Sequence, residues 1–276
     1  MAEAVGLIGI GLLGSALSQR LRDAGFSVTG FDIDPARGGN AASAAEVASS
    51  CRRILLSLPD SKVVAGVLDE IEVHLAGGAI IADTTTGDPE EMAAFGARLA
   101  ERGVRYLDAT VAGSSRQVLA GEAMVIAGGD KSALEACAPL FACFALQTFH
   151  AGPAGAGARM KLVLNLVLGL NRAVLAEGLS LAERCGVDPA AALEILKAGP
   201  AYSRVMDTKG RKMLASDFTP EARLAQHLKD VRLILDMGRR TGARLPLSEL
   251  HEKLLAALAG GGFAGADNSA IIQAFR

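Results

Sequence analysis

The sequence has no tryptophan, and aromatic residues make up only 4% of its 276 residues. It also lacks an excess of one charge, because 28 Lys and Arg face 30 Asp and Glu, for a formal net charge of −2. Without the basic surface that nucleic acid or an anionic membrane attracts, we expect neither as a partner. The N-terminus carries no signal-peptide pattern, so we expect a cytoplasmic protein.

Cysteine is scarce, and no two of the four cysteines form a CxxC pair: Cys51, Cys137, Cys143 and Cys185. Widely spaced thiols of this kind indicate reduced residues rather than a disulfide framework. The four histidines are scattered too and form no ligand pattern with the cysteines: His74, His150, His227 and His251. We therefore predict no metal site.

Long uninterrupted apolar runs are also missing. The most apolar stretch, 160–182, is broken by charged and amide side chains: Lys161, Asn165, Asn171, Arg172 and Glu177. A bilayer span requires about 18 to 20 largely uncharged residues. The stretch is therefore predicted to be a buried helix of a soluble protein rather than a membrane span.

What the sequence does contain is two halves with different periodicity. Up to about residue 150, apolar strands alternate with helical stretches, which is typical of a mainly parallel sheet covered on both faces. The predicted strands cover 5–8, 28–31, 53–57, 79–82, 104–107, 124–127 and 147–149. Helical patterns then fill 157–185, 190–197, 201–215, 220–240, 246–259 and 269–275. We predict an α/β class with a doubly wound N-terminal domain, 1–156, and an all-helical domain, 157–276, that begins with a long interdomain helix.

The glycine pattern GxGxxG follows the first predicted strand and opens a helix. Its first glycine permits a tight turn, its second lets the backbone approach a pyrophosphate, and its third allows close helix–strand packing. The helix N-terminus adds free N–H groups and a positive dipole end. An ordinary tight turn is the alternative. We predict a Rossmann-type dinucleotide site formed by Gly9, Ile10, Gly11, Leu12, Leu13 and Gly14.

An acidic residue, Asp32, closes the second predicted strand. It stands at roughly the 20-residue spacing after the loop at which an acid accepts hydrogen bonds from the adenosine ribose. An ionised carboxylate there repels a 2′-phosphate, which favours NAD. Arg37 lies near enough in sequence to hold that phosphate, so NADP stays open as the alternative.

Lys161 and Asn165 are unusual in the apolar helix, and their four-residue spacing places them on one face. The glycine-rich entry, 152–157, leaves little side-chain bulk at the helix start. Burial lowers the pKa of an ammonium toward the range useful for proton transfer. A lysine that reaches the surface at the helix end is the alternative, and the residues alone leave both open.

At this point the sequence resembles a known family. Residues 6–14, followed by 24–25, are similar to the opening of the β-hydroxyacid dehydrogenases, which include 3-hydroxyisobutyrate dehydrogenase and tartronate semialdehyde reductase. Leu58-Pro59 resembles the family's cofactor-contacting Leu-Pro. Residues 83–89 resemble its Asp-x-Ser-Thr-x-x-Pro, with Thr86 at the threonine that contacts the cofactor.

Two motifs of the second half complete a resemblance that covers essentially the whole chain. Residues 155–165 resemble the catalytic Gly-x-Gly-x-x-x-Lys-x-x-x-Asn, and Lys229-Asp230 resembles a Lys-Asp whose lysine faces nicotinamide and substrate. The resemblance implies hydride transfer between NAD(P) and a small 3-hydroxy acid or its semialdehyde. It further implies Lys161 as general acid and base, Asn165 as its orienting partner, and a homodimer or homotetramer.

The substrate loop departs from the family's Asp-Ala-Pro-Val-Ser-Gly-Gly. Here 108–114 read Asp-Ala-Thr-Val-Ala-Gly-Ser, so Ala112 lacks a hydroxyl and Ser114 stands where the family has glycine. We expect backbone N–H groups of Gly113 and Ser114 to hold a substrate carboxylate, with Arg116 as a further candidate. The substrate therefore need not be that of the well-known members.

Several alternatives compete with the hydroxyacid dehydrogenase. A glyoxylate or succinic semialdehyde reductase is the nearest, and a 6-phosphogluconate-type dehydrogenase would need a longer helical domain. Imine reductases typically carry another residue where this chain has Lys161. A non-catalytic dinucleotide-binding protein is the rival of another class, since fold alone does not establish function.

Overall fold

The structure, a computed structural model, describes residues 4–276. The chain divides into two compact units, the first ending at Lys161 and the second covering Leu162–Arg276. This division falls within one long helix, whereas the predicted domain boundary, 156/157, lies at the start of that helix.

The first unit is built on seven strands, β1 (Ala4–Ile8), β2 (Ser27–Phe31), β3 (Arg53–Leu56), β4 (Ile80–Asp83), β5 (Arg105–Ala112), β6 (Ala123–Gly129) and β7 (Ala145–Gly152). They form one sheet in the order β2-β1-β3-β4-β5-β6-β7. All neighbours run parallel except β5 and β6, which are antiparallel. This confirms the predicted α/β class with a mainly parallel sheet.

Helices cover both faces of this sheet: α1 (Leu12–Asp23), α2 (Ala44–Ser50), α3 (Ser61–Ile71), α4 (Pro89–Ala100), α5 (Ser115–Leu119) and α6 (Lys131–Phe141). Apolar side chains of α1, α5 and α6 form one core with the sheet, and those of α2, α3 and α4 form the other. The central strands β3 and β4 are mostly apolar because residues on both of their faces are buried, whereas β7 at the end of the sheet is mostly exposed.

Three features of this unit were not predicted from the sequence. The helices α5 and α6 were missed, and Pro139 inside α6 weakens the helical pattern there. β5 extends to Ala112 instead of ending near 107, because it pairs with β6 from Leu107 to Ala112. Residues 110–112 therefore belong to a strand, not to a loop.

The second unit is helical, with the main part of α7 (Ala156–Arg184), then α8 (Pro189–Ala198), α9 (Arg211–Ala215), α10 (Leu224–Thr241) and α11 (Pro246–Leu258). Two π-helical segments, Met206–Gly210 and Ala259–Phe263, and a 3₁₀ segment, Asn268–Ala274, complete it. These helices enclose their own apolar core.

Two predicted helices of this unit are shorter than expected. Of the helix predicted over 201–215, only 204–215 are helical. They comprise two helical residues, the π-helical segment and α9. The helix predicted from 220 begins at Leu224, because the N–H groups of Glu221 and Ala222 donate to the Asp267 carboxylate. That carboxylate comes from the far end of the chain, so no local pattern reveals the contact.

Candidate active site

The glycine loop connects β1 to α1 with a backbone that only glycine permits. Gly9 has φ +94°, and a Cβ there would collide with the carbonyl oxygen of Ser57. A Cβ on Gly14 would likewise collide with the carbonyl oxygen of Gly9. At Gly11 a Cβ would have no neighbour within 4 Å except Arg37 Nη1, at 3.5 Å, and no side chain caps α1. These residues therefore fit a pyrophosphate at an uncapped helix N-terminus.

Asp32 follows β2 and contacts this loop directly. Its Oδ2 accepts a hydrogen bond from the Ile10 N–H at 2.6 Å, and its Oδ1 accepts one from the Asp34 N–H at 2.9 Å. Arg37 Nη1 lies 3.4 Å from Oδ2. Burial alone would raise the pKa of Asp32, but these N–H groups and the Arg37 charge hold it below its ordinary value. Asp32 is thus an ionised acceptor beside the loop.

The predicted cofactor residues after β3 and β4 lie at the same edge of the sheet as the loop. β1 pairs with β2 and β3, and β3 with β4, all parallel, so their carboxyl ends meet there. The Leu58 N–H donates to Thr85 Oγ1 at 3.1 Å, which joins Leu58-Pro59 to the segment that contains Thr86. The structure therefore brings together the glycine loop, Asp32, Leu58, Pro59 and Thr86.

The end of β5 differs from the sequence-based expectation. Gly113 has φ +153°, and Ser114 is the N-cap of α5. The Ser114 N–H donates to Gln117 Oε1 at 2.9 Å, while Ser114 Oγ accepts from the Gln117 N–H. The sequence predicted that the backbone N–H groups of Gly113 and Ser114 hold a substrate carboxylate. In the structure the Ser114 N–H is already engaged, because it donates to Gln117. Arg116 is exposed on α5.

Lys161 is buried, with 7% of its surface exposed, and does not extend to the surface at the helix end. Its Nζ donates to the carbonyl oxygen of Val111 on β5 at 2.8 Å. The turns before it are held by Asp108, whose carboxylate accepts from the N–H groups of Gly155 and Ala158. Of the two interpretations that the sequence left open, the structure favours the buried ammonium.

The second unit holds the remaining predicted residues, Asn165 and Lys229. Asn165 is buried, and its Nδ2 donates to Asp230 Oδ2 at 2.9 Å. Lys229 Nζ lies 3.2 Å from Asp230 Oδ1. Asp230 therefore holds both side chains, through one carboxylate oxygen each. The sequence named Asp230 only as the second residue of the Lys-Asp motif and predicted no role for it.

Three further buried polar residues lie in this unit. The rings of His227 and His251 have centroids 5.2 Å apart, and a Cβ on Gly169 of α7 would contact both rings. Burial, together with the Arg172 charge, lowers the pKa of His251 to about 4, so this imidazole is neutral at neutral pH. Within residues 4–276, no group of three or more His, Cys, Asp or Glu side chains could hold a metal ion.

The sheet, the uncapped glycine loop and the acid beside it define a dinucleotide-binding protein, and its relatives are named as dehydrogenases and reductases. Residues 4–152 match the family model for the NAD binding domain of 6-phosphogluconate dehydrogenase. Residues 155–275 match the model for NAD-binding of NADP-dependent 3-hydroxyisobutyrate dehydrogenase. The chain belongs to the β-hydroxyacid dehydrogenase family, as the sequence predicted, and uses NAD(P).

Individual relatives agree with this assignment. The chain is 30% identical to L-threonate dehydrogenase of Cupriavidus necator, with 100% of this chain and 97% of that protein covered. It is 29% identical to glyoxylate/succinic semialdehyde reductase 1 of Arabidopsis thaliana, over 99% and 98% of the two chains. The structure of Mycobacterium tuberculosis 3-hydroxyisobutyrate dehydrogenase with L-serine matches with a TM-score of 0.91 and 26% identity, covering 100% of both chains.

Proposed function

We propose that this protein transfers a hydride reversibly between NAD(H) and a small 3-hydroxy acid or its semialdehyde, with Lys161 as general acid and base. The observation that carries the proposal is the buried Lys161 ammonium, held 2.8 Å from the Val111 carbonyl oxygen. Val111 lies on the strand that leads to Gly113. Relatives named for threonate and for glyoxylate and succinic semialdehyde support a small hydroxy or aldehyde acid as substrate.

Lys161 moves the proton of this reaction. In oxidation, its neutral amine takes the alcohol proton while the carbinol carbon loses hydride and its C–O bond becomes a carbonyl. In reduction, the ammonium returns a proton to the carbonyl oxygen. A nicotinamide cofactor held by the glycine loop and Asp32 would supply the hydride acceptor in oxidation and the hydride donor in reduction. The Val111 carbonyl fixes the position of Nζ, which favours transfer because orientation removes part of the entropic barrier.

The substrate carboxylate is held by the backbone at the end of β5. Gly113 offers an N–H, and the Ser114 N–H becomes available if the Gln117 amide turns away. In the second unit, the motifs shared with the family assign further roles to Asn165, which lies one helical turn beyond Lys161, and to Lys229. Asp230 holds the orientation of both side chains.

NAD is the preferred cofactor. The ionised Asp32 carboxylate accepts hydrogen bonds from ribose hydroxyls through lone pairs that Ile10 and Asp34 leave unused, and it repels a 2′-phosphate. Arg37 is half-exposed and pairs with the same carboxylate. We expect Asp32→Ala to improve the ratio of NADP to NAD efficiency at least tenfold, and Arg37→Ala to lower that ratio.

We also propose that the chain forms a homo-oligomer through α7. Its exposed apolar residues follow a helical stripe on the second unit: Val163, Val167, Val174 and Leu181. Among residues 4–276, α7 is the one helix long and apolar enough to cross a membrane, and 39% of its most apolar window is buried. A second copy that covers this stripe accounts for its composition. Light scattering should show a dimer or larger at micromolar concentration, and a smaller species for Val174→Glu.

The central test is the Lys161→Ala variant, assayed with a panel of 3-hydroxy acids and semialdehydes in the presence of NAD(H) and NADP(H). We expect turnover to fall at least a thousandfold, because the proton loses its carrier, while calorimetry shows NADH binding within about threefold of wild type. Lys131→Ala removes an exposed lysine at the start of α6 and serves as the control. Near-normal turnover of Lys161→Ala would contradict the proposal.

A further inference from the structure

The strand β5 holds the first turns of α7 at two points. The fully buried Asp108 carboxylate accepts the Gly155 N–H at Oδ1, at 2.9 Å, and the Ala158 N–H at Oδ2, at 2.7 Å. Three residues further along the same strand, the Val111 carbonyl oxygen accepts from Lys161 Nζ. One strand therefore contacts both the beginning of the helix and the side chain that the proposed function requires.

The packing around this contact leaves no room for the helix to shift. A Cβ on Gly157 would lie 2.5 Å from the Asp108 carbonyl oxygen and 2.7 Å from the Gly128 nitrogen. A Cβ on Gly128 of β6 would lie 2.5 Å from Asp108 Oδ1. The backbones of β5, β6 and α7 thus meet at closest approach around the Asp108 side chain.

Asp108 acts on α7 as a capping residue that lies far away in sequence. The first N–H groups of any helix lack partners within the helix and need an acceptor. Most caps are local, as Asp130 is for α6, but Asp108 precedes its two donors by 47 and 50 residues. A carboxylate there also interacts favourably with the positive end of the helix dipole. The cap consequently determines the position of the first turns of α7 relative to β5.

A neighbouring acid shows that burial alone does not explain Asp108. Asp83 is its register partner on β4 and is equally buried. Yet Asp83 accepts its hydrogen bonds from the Tyr106 hydroxyl and the Thr85 N–H, with none from α7. Of these two buried acids, Asp108 is the one that accepts hydrogen bonds from the helix that carries Lys161.

We propose that Asp108 is a positioning residue for catalysis: it ties the first turn of α7 to β5 and thereby sets where Lys161 Nζ lies. This inference rests on the proposed function of Lys161. Asp108 does not itself exchange a proton with the substrate. Because a displacement of about 1 Å far from the reacting atoms can cost about a hundredfold in rate, a loosened cap should reduce turnover strongly.

Asp108→Asn is the test because it keeps the side-chain volume. The amide nitrogen cannot accept a hydrogen bond, so either Gly155 or Ala158 loses its acceptor. We expect kcat to fall between tenfold and a hundredfold, with the NADH dissociation constant within about threefold of wild type. The primary isotope effect on kcat with deuterated NADH should rise as the chemical step becomes slower. Asp130→Ala removes the cap of α6 in the same unit and should leave kcat within twofold.

The double variant Asp108→Asn with Lys161→Ala separates positioning from general stability. If Asp108 acts through Lys161, adding Asp108→Asn to Lys161→Ala lowers the residual activity less than twofold. An equal loss in both backgrounds would overturn the inference. So would wild-type kcat in the single Asp108→Asn variant while Lys161→Ala is inactive, and in that case the proposed function would stand. An active Lys161→Ala variant would instead remove the proposed function itself.

A second variant covers the case in which Asp108→Asn does not fold. Gly157→Ala places a Cβ against the backbones of β5 and β6, which displaces the first turn of α7 while the Asp108 carboxylate is kept. It should give the same pattern of reduced kcat and retained NADH binding. If neither variant binds NADH, the contact is a determinant of folding, and its role in positioning Lys161 is refuted.

Discussion

The two units place their polar residues by different means. In the first unit they follow the strands, where parallel neighbours bring Gly9, Asp32 and Leu58 to one sheet edge. In the second unit they are single side chains on helices, and Asn165 meets Asp230 only because α7 packs against α10. The position of a residue at a strand end follows from the pairing of neighbouring strands. The position of a buried polar side chain on a helix depends instead on a partner that is distant in sequence.

The units also differ in how they stabilise buried acids. In the first, burial and the negative charge of Asp108 raise the pKa of Asp83 to about 6, although hydrogen bonds from Thr85 and Tyr106 act in the opposite direction. In the second, burial of Asp267 is outweighed by Lys209, 2.9 Å away, and by backbone N–H groups, and its pKa falls to about 2. Asp83 in the first unit therefore gains a proton readily, whereas Asp267 in the second unit is kept ionised by an ion pair.

The largest expected effect concerns the glycine loop, where the residues of the predicted cofactor site follow the ends of parallel strands. Gly14→Ala places a Cβ against the carbonyl oxygen of Gly9, so the turn must open. We expect NADH affinity, measured by calorimetry, to fall at least a thousandfold. Gly66→Ala in α3, where a Cβ would meet nothing within 4 Å, is the control and should bind NADH normally. Unchanged affinity of Gly14→Ala would show that the loop does not form the cofactor site.

The next effect concerns the buried acid of the first unit. Since the folded-state pKa of Asp83 is raised, the folded protein keeps a proton that the unfolded chain releases, and folding becomes less favourable as pH rises from about 4 to 6. Asp83→Asn removes this penalty. Relative to wild type, the variant should gain up to about 3 kcal/mol between pH 4 and 7, at about 1.4 kcal/mol per pKa unit.

Urea unfolding at several pH values measures that difference. The protein has no tryptophan and two tyrosines, so Tyr202→Phe leaves Tyr106 as the reporter of the first unit. Asp130→Asn should show the opposite sign, because hydrogen bonds lower the pKa of Asp130. A difference between Asp83→Asn and wild type that does not vary with pH would contradict the raised pKa.

The smallest effect tests the helical unit. Asp230→Asn breaks the ion pair with Lys229 and weakens the hold on Asn165. We expect kcat/KM to fall about tenfold, roughly the value of one charge-assisted hydrogen bond. Asp236→Asn, which breaks exposed pairs with Arg239 and Arg240 on the same helix, should change kcat/KM less than twofold. If both variants behave alike, the buried carboxylate has no special role in the second unit.

The sequence predicted the class of the fold and the family with little ambiguity, because their signals are local. Continuous apolar strands indicate a sheet that is buried on both faces. The glycine pattern indicates a dinucleotide site because it lies directly between a strand and a helix. The predicted roles of Lys161, Asn165, Lys229 and the other site residues stay predictions until variants are assayed.

Features that depend on distant partners were not found from the sequence. The extension of β5 requires β6, and the Ser114 N–H is engaged by Gln117 through a short helix that the pattern did not reveal. The pairing of His227 with His251 joins α10 to α11, although the residues are scattered in the chain. In each case tertiary packing determines the partner, and a short stretch of sequence holds no information about that packing.

By itself, the sequence determined an α/β unit with a glycine loop followed by a helical unit, because periodicity and glycine placement act over a few residues. Only the tertiary structure decided that Lys161 is buried against Val111 and that Asp108 holds the first turn of its helix. A lysine at a helix start is compatible with solvent or with burial, and the choice depends on which backbone packs against it. Here that backbone is β5, about 50 residues earlier in the chain.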